Sequence, residues 1–316
     1  MNATIDTSIA VVCGGPSSEA EVSRSSGRCV AEALKQTYPN VVLLELDKHL
    51  SAALAANSVD VVFPALHGPP GEDGTFQGFL ETQGYRYVGS GVRASSFAMD
   101  KSVAKCIFRQ AGIPVARDIN LEHSLDLDAA CQHIEKVLGD DVVIKPSSEG
   151  SAVGVRFANS AEEIEKRLQE ACLHNGRVLV EERIIGREIT VGILDTGKIE
   201  VFPVIEVRTP KGAWYDYEHR YTEGASEHII PAPLSQAQYQ RTQEIAVLAH
   251  KALGCRHLSR ADFVVPEHGE PVLLEVNTLP GMTPTSLYPD GARAIGLSFE
   301  SLVSKLIEGA LEYDHG

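Results

Sequence analysis

The chain has 316 residues, 43% hydrophobic and 22% charged, which argues against a disordered or fibrous design and makes it about two to three domains long. A formal charge of -15 offers no basic stripe for a phosphate polymer, so nucleic acid is not expected as a partner. Met1–Ser8 lacks the basic and apolar run of a signal peptide, and no stretch approaches the roughly 18 apolar residues of a membrane helix, so a cytoplasmic protein with no membrane partner is expected.

Ser8–Val12 reads as a short buried strand entering Gly14-Gly15, with a helix following from about Glu19 to Gln36. A second apolar run, Val61–Leu66, enters the loop His67–Gly74. Strand and helix alternate to about Met99, which predicts a small parallel sheet with ligand-facing loops at its strand carboxyl ends, an N-terminal Rossmann-like lobe over residues 1–100. From Lys101 the pattern restarts: helix to Ala111, strand, helix Leu127–Leu138, strand Val142–Lys145, a glycine-containing loop, a strand to Phe157, helix Ala161–Leu173 and strand Val178–Glu182. That mixed stretch predicts a central lobe over 101–185. The remainder, 186–316, is expected to form a C-terminal lobe with more strands and a polar, poorly periodic segment, 209–233, too long for an ordinary connection and suited to a mobile lid.

Ser235 and Gln238 form a possible capping box, and Tyr239, Thr242, Ile245, Ala246, Ala249 and Leu253 recur at helical spacing before Gly254. Strands are predicted over Leu258–Val265 and Val272–Asn277, and an amphipathic helix over Phe299–Leu311. The fold class is α/β with mixed α+β lobes. Six cysteines (Cys13, Cys29, Cys106, Cys131, Cys172, Cys255) are scattered without a C-x-x-C pair, which suits buried structural thiols in a reducing compartment better than a disulfide frame or a zinc site.

Side chains two apart on a strand share a face, so Arg260 lies beside Asp262 and Glu275 beside Asn277. If these strands pair, one face carries two carboxylates, an amide and a guanidinium, an array suited to hard divalent cations bridging nucleotide phosphates. A structural arginine-carboxylate pair is the plainer alternative. Pro280-Gly281 lets backbone approach a reacting centre, where the Gly281 amide can donate to a developing oxyanion. Lys145-Pro-Ser-Ser-Glu-Gly-Ser-Ala-Val-Gly154 starts at a strand end and reads either as a flexible phosphate cover or as a Ser/Gly-rich turn. It is not the P-loop pattern G-x-x-x-x-G-K-[ST], which the chain lacks. Gly89-x-Gly91-x-x-Ala94 is better read as a tight turn than as a nicotinamide site. Glu19 and His67 follow the two apolar strands, at the edge where ligands bind, although a lone histidine is often structural.

Taken together, Gly-Gly-x-Ser-x-Glu-x-Glu-Val-Ser, His-Gly-x-x-Gly-Glu-Asp-Gly, Met-Asp-Lys, Lys-Pro-x-x-Glu-Gly-Ser, Tyr-Asp-Tyr-Glu and Glu-Val-Asn-Thr-x-Pro-Gly-Met-Thr occur in one order. This sequence resembles the D-alanine:D-alanine ligase family of ATP-grasp enzymes over nearly its whole length. The resemblance implies an ATP-grasp fold and ATP-dependent ligation of two D-alanine molecules through D-alanyl phosphate, for peptidoglycan precursors. It also implies two Mg2+ (or Mn2+) ions per active site and a homodimer.

By the same resemblance, Lys101 and Lys145 hold ATP phosphates, Glu181, Glu182, Arg183 and Ile184 contact adenine, and Glu188 contacts the ribose. Asp262, Glu275 and Asn277 bind the metal ions. Glu19 holds the first ammonium group, Arg260 and the Gly281 amide stabilise transferring charge, and Ser286 and Leu287 bind the second carboxylate. His67 orients or deprotonates the second amine, and Tyr221 closes the lid toward Ser151 and Glu19. One departure is Arg220-Tyr221, where the family usually has Lys-Tyr, which keeps the charge toward the γ-phosphate and changes the geometry. Retained Tyr221 favours D-alanine over D-lactate as acceptor. D-serine, D-lactate or a specialised-metabolite precursor as acceptor, or an inactive nucleotide-binding homologue, are the alternatives.

Overall fold

The computed structural model describes residues 6–122, 126–148, 150, 153–172, 177–210, 222 and 224–313. Its first sheet is parallel, in the order β2-β1-β3-β4, from β1 (Ile9–Cys13), β2 (Val41–Glu45), β3 (Val61–Pro64) and β4 (Arg86–Tyr87). Helices α1 (Ala20–Leu34), α2 (Leu50–Ala56), α3 (Thr75–Gln83) and α4 (Val92–Met99) intervene. Every residue of β1 and β3 is buried, as a parallel sheet covered on both faces requires. Because β1 and β3 are parallel neighbours, the loops after them leave the same edge, which brings Glu19 and His67 together.

A second sheet is antiparallel, in the order β5-β8-β6-β7: β5 (Asp118–Leu121), β6 (Val142–Pro146), β7 (Arg156–Ala158) and β8 (Val178–Glu182). Helices α6 (Leu127–Leu138) and α7 (Ala161–Cys172) cover one face, with Ile134, Ile164 and Leu168 packed on Ile144 and Val180.

The third sheet runs β12-β11-β9-β13-β14, from β9 (Arg187–Asp195), β11 (Ile205–Arg208), β12 (Glu227–Ile229), β13 (His257–Val265) and β14 (Val272–Asn277), with β10 (Ile199–Val201) beside β9. Helix α8 (Gln236–Leu253) buries Thr242, Ile245, Ala246, Ala249 and Leu253, the face its periodicity predicts, and the Ser235 hydroxyl accepts the Gln238 N–H at 3.3 Å as its N-cap. The expected capping box is half made. The Gln238 side chain takes the Ser235 hydroxyl proton at 3.0 Å and gives its own N–H to Pro266 at 3.0 Å. Helices α9 (Leu287–Ala294) and α10 (Phe299–Glu312) complete the chain.

Packing crosses the divisions suggested by chain order. Helix α5 (Lys101–Gln110) sets Ala104 and Phe108 against Ile189, Ile245 and Val276 of the third sheet and its helix. Helix α10 sets Leu302, Leu306, Ile307 and Leu311 against Ile9, Val11, Val61 and Phe63 of the first. At the joint, the Arg256 guanidinium lies 4.7 Å from the ring centre of Tyr87 and 4.2 Å from that of Tyr313, and its Nε donates to the Gly89 carbonyl at 2.8 Å. Gly89, at φ +104°, forms the tight turn expected there after a strand of only two residues.

The segment 209–233 differs from its featureless reading: Glu227–Ile229 pairs with β11 as an edge strand. A three-residue strand paired on one side leaves too short an alternation to read. Residues 211–221 and 223, including Arg220 and Tyr221, lie outside the described residues, as do Glu149 and Ser151.

Candidate active site

Strands β13 and β14 pair with Arg260 opposite Asn277 and Asp262 opposite Glu275, so the four side chains share one face. Asp262 is the hub. Arg260 donates from Nε at 2.8 Å and from a terminal nitrogen at 2.7 Å, a bidentate clasp, while Asn277 Nδ2 donates at 3.0 Å and the Thr190 hydroxyl at 2.6 Å. Thr190 reaches Asp262 because β9 pairs with β13 in that register, a contact between strands distant in the chain. Glu275 faces Lys101 Nζ at 3.3 Å.

Between the second and third sheets lies a cavity of about 280 Å³. Lys101, Lys145, Glu181, Glu182, Arg183, Ile184 and Glu188 all line it, along with apolar Val143, Val155, Phe157, Val264 and Leu274. An apolar slot with lysines at one end suits a flat base carrying phosphates. Lys145 Nζ sits 2.6 Å from Glu181. The Glu182 carboxylate turns to Arg117, which donates from its backbone N–H at 2.8 Å and from Nε at 2.7 Å, so backbone is what Glu182 can offer a ligand. Val155 and Phe157, which sequence reasoning passed over, flank the exposed Arg156 at the start of β7, and their spacing of two puts both on the face toward the slot.

A smaller cavity of about 30 Å³ continues from the first, sharing Lys101 and Glu275, and runs through Glu72, Gly150 and Asn277 into a third of about 80 Å³. Glu19, His67, Arg260, Gly281, Ser286 and Leu287 line the third, with Val22 and Thr285. Glycine is required twice at this edge. A Cβ on Gly68, whose φ is +69°, would stand 3.0 Å from Glu19 Oε2, and one on Gly281 would stand 2.8 Å from Ser286 Oγ. Ser286 is the N-cap of α9, and it and Leu287, the first residue of that helix, both line the cavity.

His67 is buried and clamped. Its Nε2 lies 3.0 Å from Ser26 Oγ, its ring bonds the Leu279 backbone, and the Ser26 oxygen accepts the Met282 N–H at 3.4 Å. Burial holds its imidazole below the usual value against the pull of Glu19, so the ring is neutral at neutral pH and both nitrogens are engaged. This favours orientation over proton abstraction for the role expected of His67. Glu72, also passed over in the sequence, accepts the Gly68 N–H at 2.7 Å, and burial pushes its carboxyl up to about 8. Its place in the His-Gly-x-x-Gly-Glu motif was the available signal.

Asp262 and Glu275 supply hard anionic oxygens and Asn277 an amide oxygen on one face beside the cavity, which fits magnesium, an ion that keeps waters and phosphate oxygens and takes few protein ligands. Among the described residues no group of three or more His, Cys, Asp or Glu forms a self-sufficient metal cage. A cation here relies on substrate oxygens to complete its shell. Cys13, Cys29, Cys106, Cys131 and Cys255 are free thiols, but the expectation that they are buried holds at Cys13 and Cys255 alone: Cys29 and Cys131 are half-buried, and Cys106 falls on the exposed face of the amphipathic helix α5.

A parallel first sheet, two antiparallel sheets gripping an apolar slot, and a lysine and carboxylate face leading from that slot to a polar chamber define an ATP-grasp ligase. The family model "D-ala D-ala ligase C-terminus" matches residues 107–308, and "D-ala D-ala ligase N-terminus" matches 48–90. A D-alanine--D-alanine ligase of Halalkalibacterium halodurans is 44% identical over 96% of this chain and 99% of its own, and one of Carboxydothermus hydrogenoformans is 42% identical over 96% and 98%. The solved D-alanine--D-alanine ligase of Bacillus anthracis complexed with ATP superposes with a TM-score of 0.83 at 33% identity, covering 96% of this chain and 97% of that one. The VanG D-Ala:D-Ser ligase of Enterococcus faecalis gives 0.82 at 31%, covering 96% and 99%. The chain belongs to the D-alanine--D-alanine ligase family.

Proposed function

We propose that this enzyme joins two D-alanine molecules at the expense of ATP, through D-alanyl phosphate, to supply a peptidoglycan precursor. The observation that carries the reading is that the three cavities adjoin in series: Lys101 and Glu275 line both the nucleotide slot and the small middle cavity, and Glu72, Gly150 and Asn277 line both that cavity and the amino-acid chamber. A carboxylate in the chamber and a γ-phosphate in the slot then face each other across the β13/β14 array.

ATP binds in the slot with Lys101 and Lys145 on its phosphates, Glu181 to Ile184 at the base and Glu188 at the ribose, and with Arg220 on the γ-phosphate. The first D-alanine, its ammonium on Glu19, attacks the γ-phosphorus through a carboxylate oxygen, and ADP leaves. Arg260, held flat by its clasp on Asp262, neutralises charge on the phosphoryl oxygens. The second D-alanine, its carboxylate on Ser286 and Leu287 at the start of α9, attacks the acyl carbon through its amine. The Gly281 N–H donates to the tetrahedral oxyanion, which collapses as the acyl carbon–oxygen bond to phosphate breaks; inorganic phosphate departs and takes up the proton that the attacking neutral amine loses. His67 orients the second amine, and Tyr221 with Ser151 closes the site against water, which would hydrolyse the acyl phosphate. Asp262, Glu275 and Asn277 are the residues that hold two Mg2+ or Mn2+ ions, whose chemistry is charge neutralisation on the phosphates.

The test is phosphate release from ATP and magnesium with D-alanine, L-alanine or no amino acid, the product identified by mass. D-alanine-dependent release with dipeptide formed is expected. No release with D-alanine sinks the reading, and a mixed product in a D-serine or D-lactate competition moves the acceptor. The same reading has the enzyme act in the cytoplasm as a homodimer, for which cell fractionation and light scattering are the checks. No described helix is long and apolar enough to cross a membrane.

A further inference from the structure

Beneath the nucleotide slot lies a chain of charges that the mechanism above does not use. Strands β5 and β8 pair with Asp118 opposite Glu181, two carboxylates face to face, an arrangement that repels without a cation between them. Lys105 of α5, only 1% exposed, supplies that cation: its Nζ lies 2.5 Å from Glu181 Oε1 and 3.1 Å from Asp118 Oδ1. Arg109, one turn further along α5, pairs with the same Asp118 oxygen, Oδ1. The other Glu181 oxygen, Oε2, holds Lys145 Nζ at 2.6 Å. Glu181 and Lys145 line the slot, whereas Lys105 and Asp118 do not.

We infer that Lys105 is a positioning residue for ATP, acting through Glu181 to set where the Lys145 ammonium stands in the slot; the inference rests on the ATP reading proposed above. Burial pushes the Lys105 ammonium down to about 8 while Glu181 pulls it up, so it is charged at neutral pH. Without it, Asp118 repels Glu181, and Glu181 turns its full charge onto Lys145 and draws that ammonium away from the phosphates. The amino-acid chamber shares none of these groups, so the defect belongs to the nucleotide alone.

The experiment compares the full-length chain with Lys105→Met, Glu181→Gln, the double variant and Asp118→Asn, reading KM for ATP, KM for D-alanine, kcat, and calorimetric Kd for the ATP analogue AMPPNP with magnesium. Lys105→Met is expected to raise KM for ATP and Kd for AMPPNP about tenfold, about 1.4 kcal/mol, with kcat and the D-alanine KM within about twofold. In the Glu181→Gln background the same change is expected to cost less than about twofold, because the residue through which Lys105 acts has lost its charge. Asp118→Asn, which keeps the Lys105 to Glu181 contact, is expected to stay within about twofold of the unmodified chain. Additive losses in the double variant, equal losses in kcat and KM, an unchanged Kd, or an Asp118→Asn defect as large as that of Lys105→Met overturns the inference. Should Lys105→Met fail to fold, Lys105→Gln in the same cycle decides it by the same criteria. An unmodified chain that does not bind AMPPNP instead overturns the ATP reading on which the inference stands.

Discussion

Removing one buried oxygen, Ser26→Ala, is a sharp test of how the chamber is held. Ser26 sits on α1 with no exposure, its Oγ 3.0 Å from His67 Nε2 and accepting the Met282 N–H at 3.4 Å. One hydroxyl therefore joins three segments: the first helix, the loop after β3 and the loop after β14. Alanine keeps the helix and leaves no space worth counting, so the loss is polar alone. The His67 nitrogen is left without its partner in a dry site, at about 1–3 kcal/mol, and the Met282 bond is too long to add much, so a destabilisation of about 2 kcal/mol is expected. Urea unfolding followed by circular dichroism measures it as a shift in midpoint at unchanged slope. The freed ring also loses its fixed angle, so KM for D-alanine is expected to rise while KM for ATP does not. A variant as stable as the unmodified chain, with the same D-alanine KM, would refute the reading of His67 as a clamped, neutral residue.

Two further predictions follow from the same geometry. Glu275→Gln keeps the shape of the β14 face but removes one of its two carboxylates; the magnesium concentration for half-maximal rate is expected to rise by about tenfold or more while the melting temperature stays within a few degrees, since the Lys101 pair is partly exposed. A normal magnesium dependence in that variant would remove Glu275 from the metal-binding set. Burial holds His250 below its usual value, against the pull of Asp195, with Ser259 2.8 Å from Nδ1 and Asp195 3.3 Å from Nε2. The unfolded chain therefore takes up the proton first: stability is fully present above about pH 6.5 and falls below it, by up to about 1.4 kcal/mol per pH unit for this residue. His250→Gln is expected to flatten the fall by that amount, leaving the part due to His67, which burial shifts the same way. Identical slopes for the two proteins between pH 5 and pH 7 would count against this account.

The β13/β14 face was legible because a strand has a period of two: once Arg260, Asp262, Glu275 and Asn277 are on strands, their side is decided, and only the pairing was left open. Helix α8 was legible for the matching reason at a period of 3.6. What the sequence hid were side chains whose partners are far along the chain. Lys105 falls on an amphipathic helix where a lysine ordinarily points to water, and only the arrival of Asp118 and Glu181 from two other strands makes it a buried cation. Ser26 and Thr190 are small polar residues with no periodic mark, and each acquires meaning from a neighbour more than 40 residues away, as Ser26 with His67 and Thr190 with Asp262. Arg220, Tyr221 and Ser151 rest on the family resemblance alone, since they lie outside the described residues.

The packing of α10 on the first sheet has a consequence for biosynthesis. A ribosome delivers β1, α1 and β3 first, yet Ile9, Val11, Val61 and Phe63 meet Leu302, Leu306, Ile307 and Leu311 only when the final helix emerges. Until then α1, through Val30, Ala31 and Leu34, is the cover on that face of the first sheet, and the apolar surface that α10 completes stays open to neighbouring nascent chains. The central sheet, whose core residues all fall between Ile119 and Val180, has no such wait. The central sheet can thus close its core before the first sheet, which waits for α10.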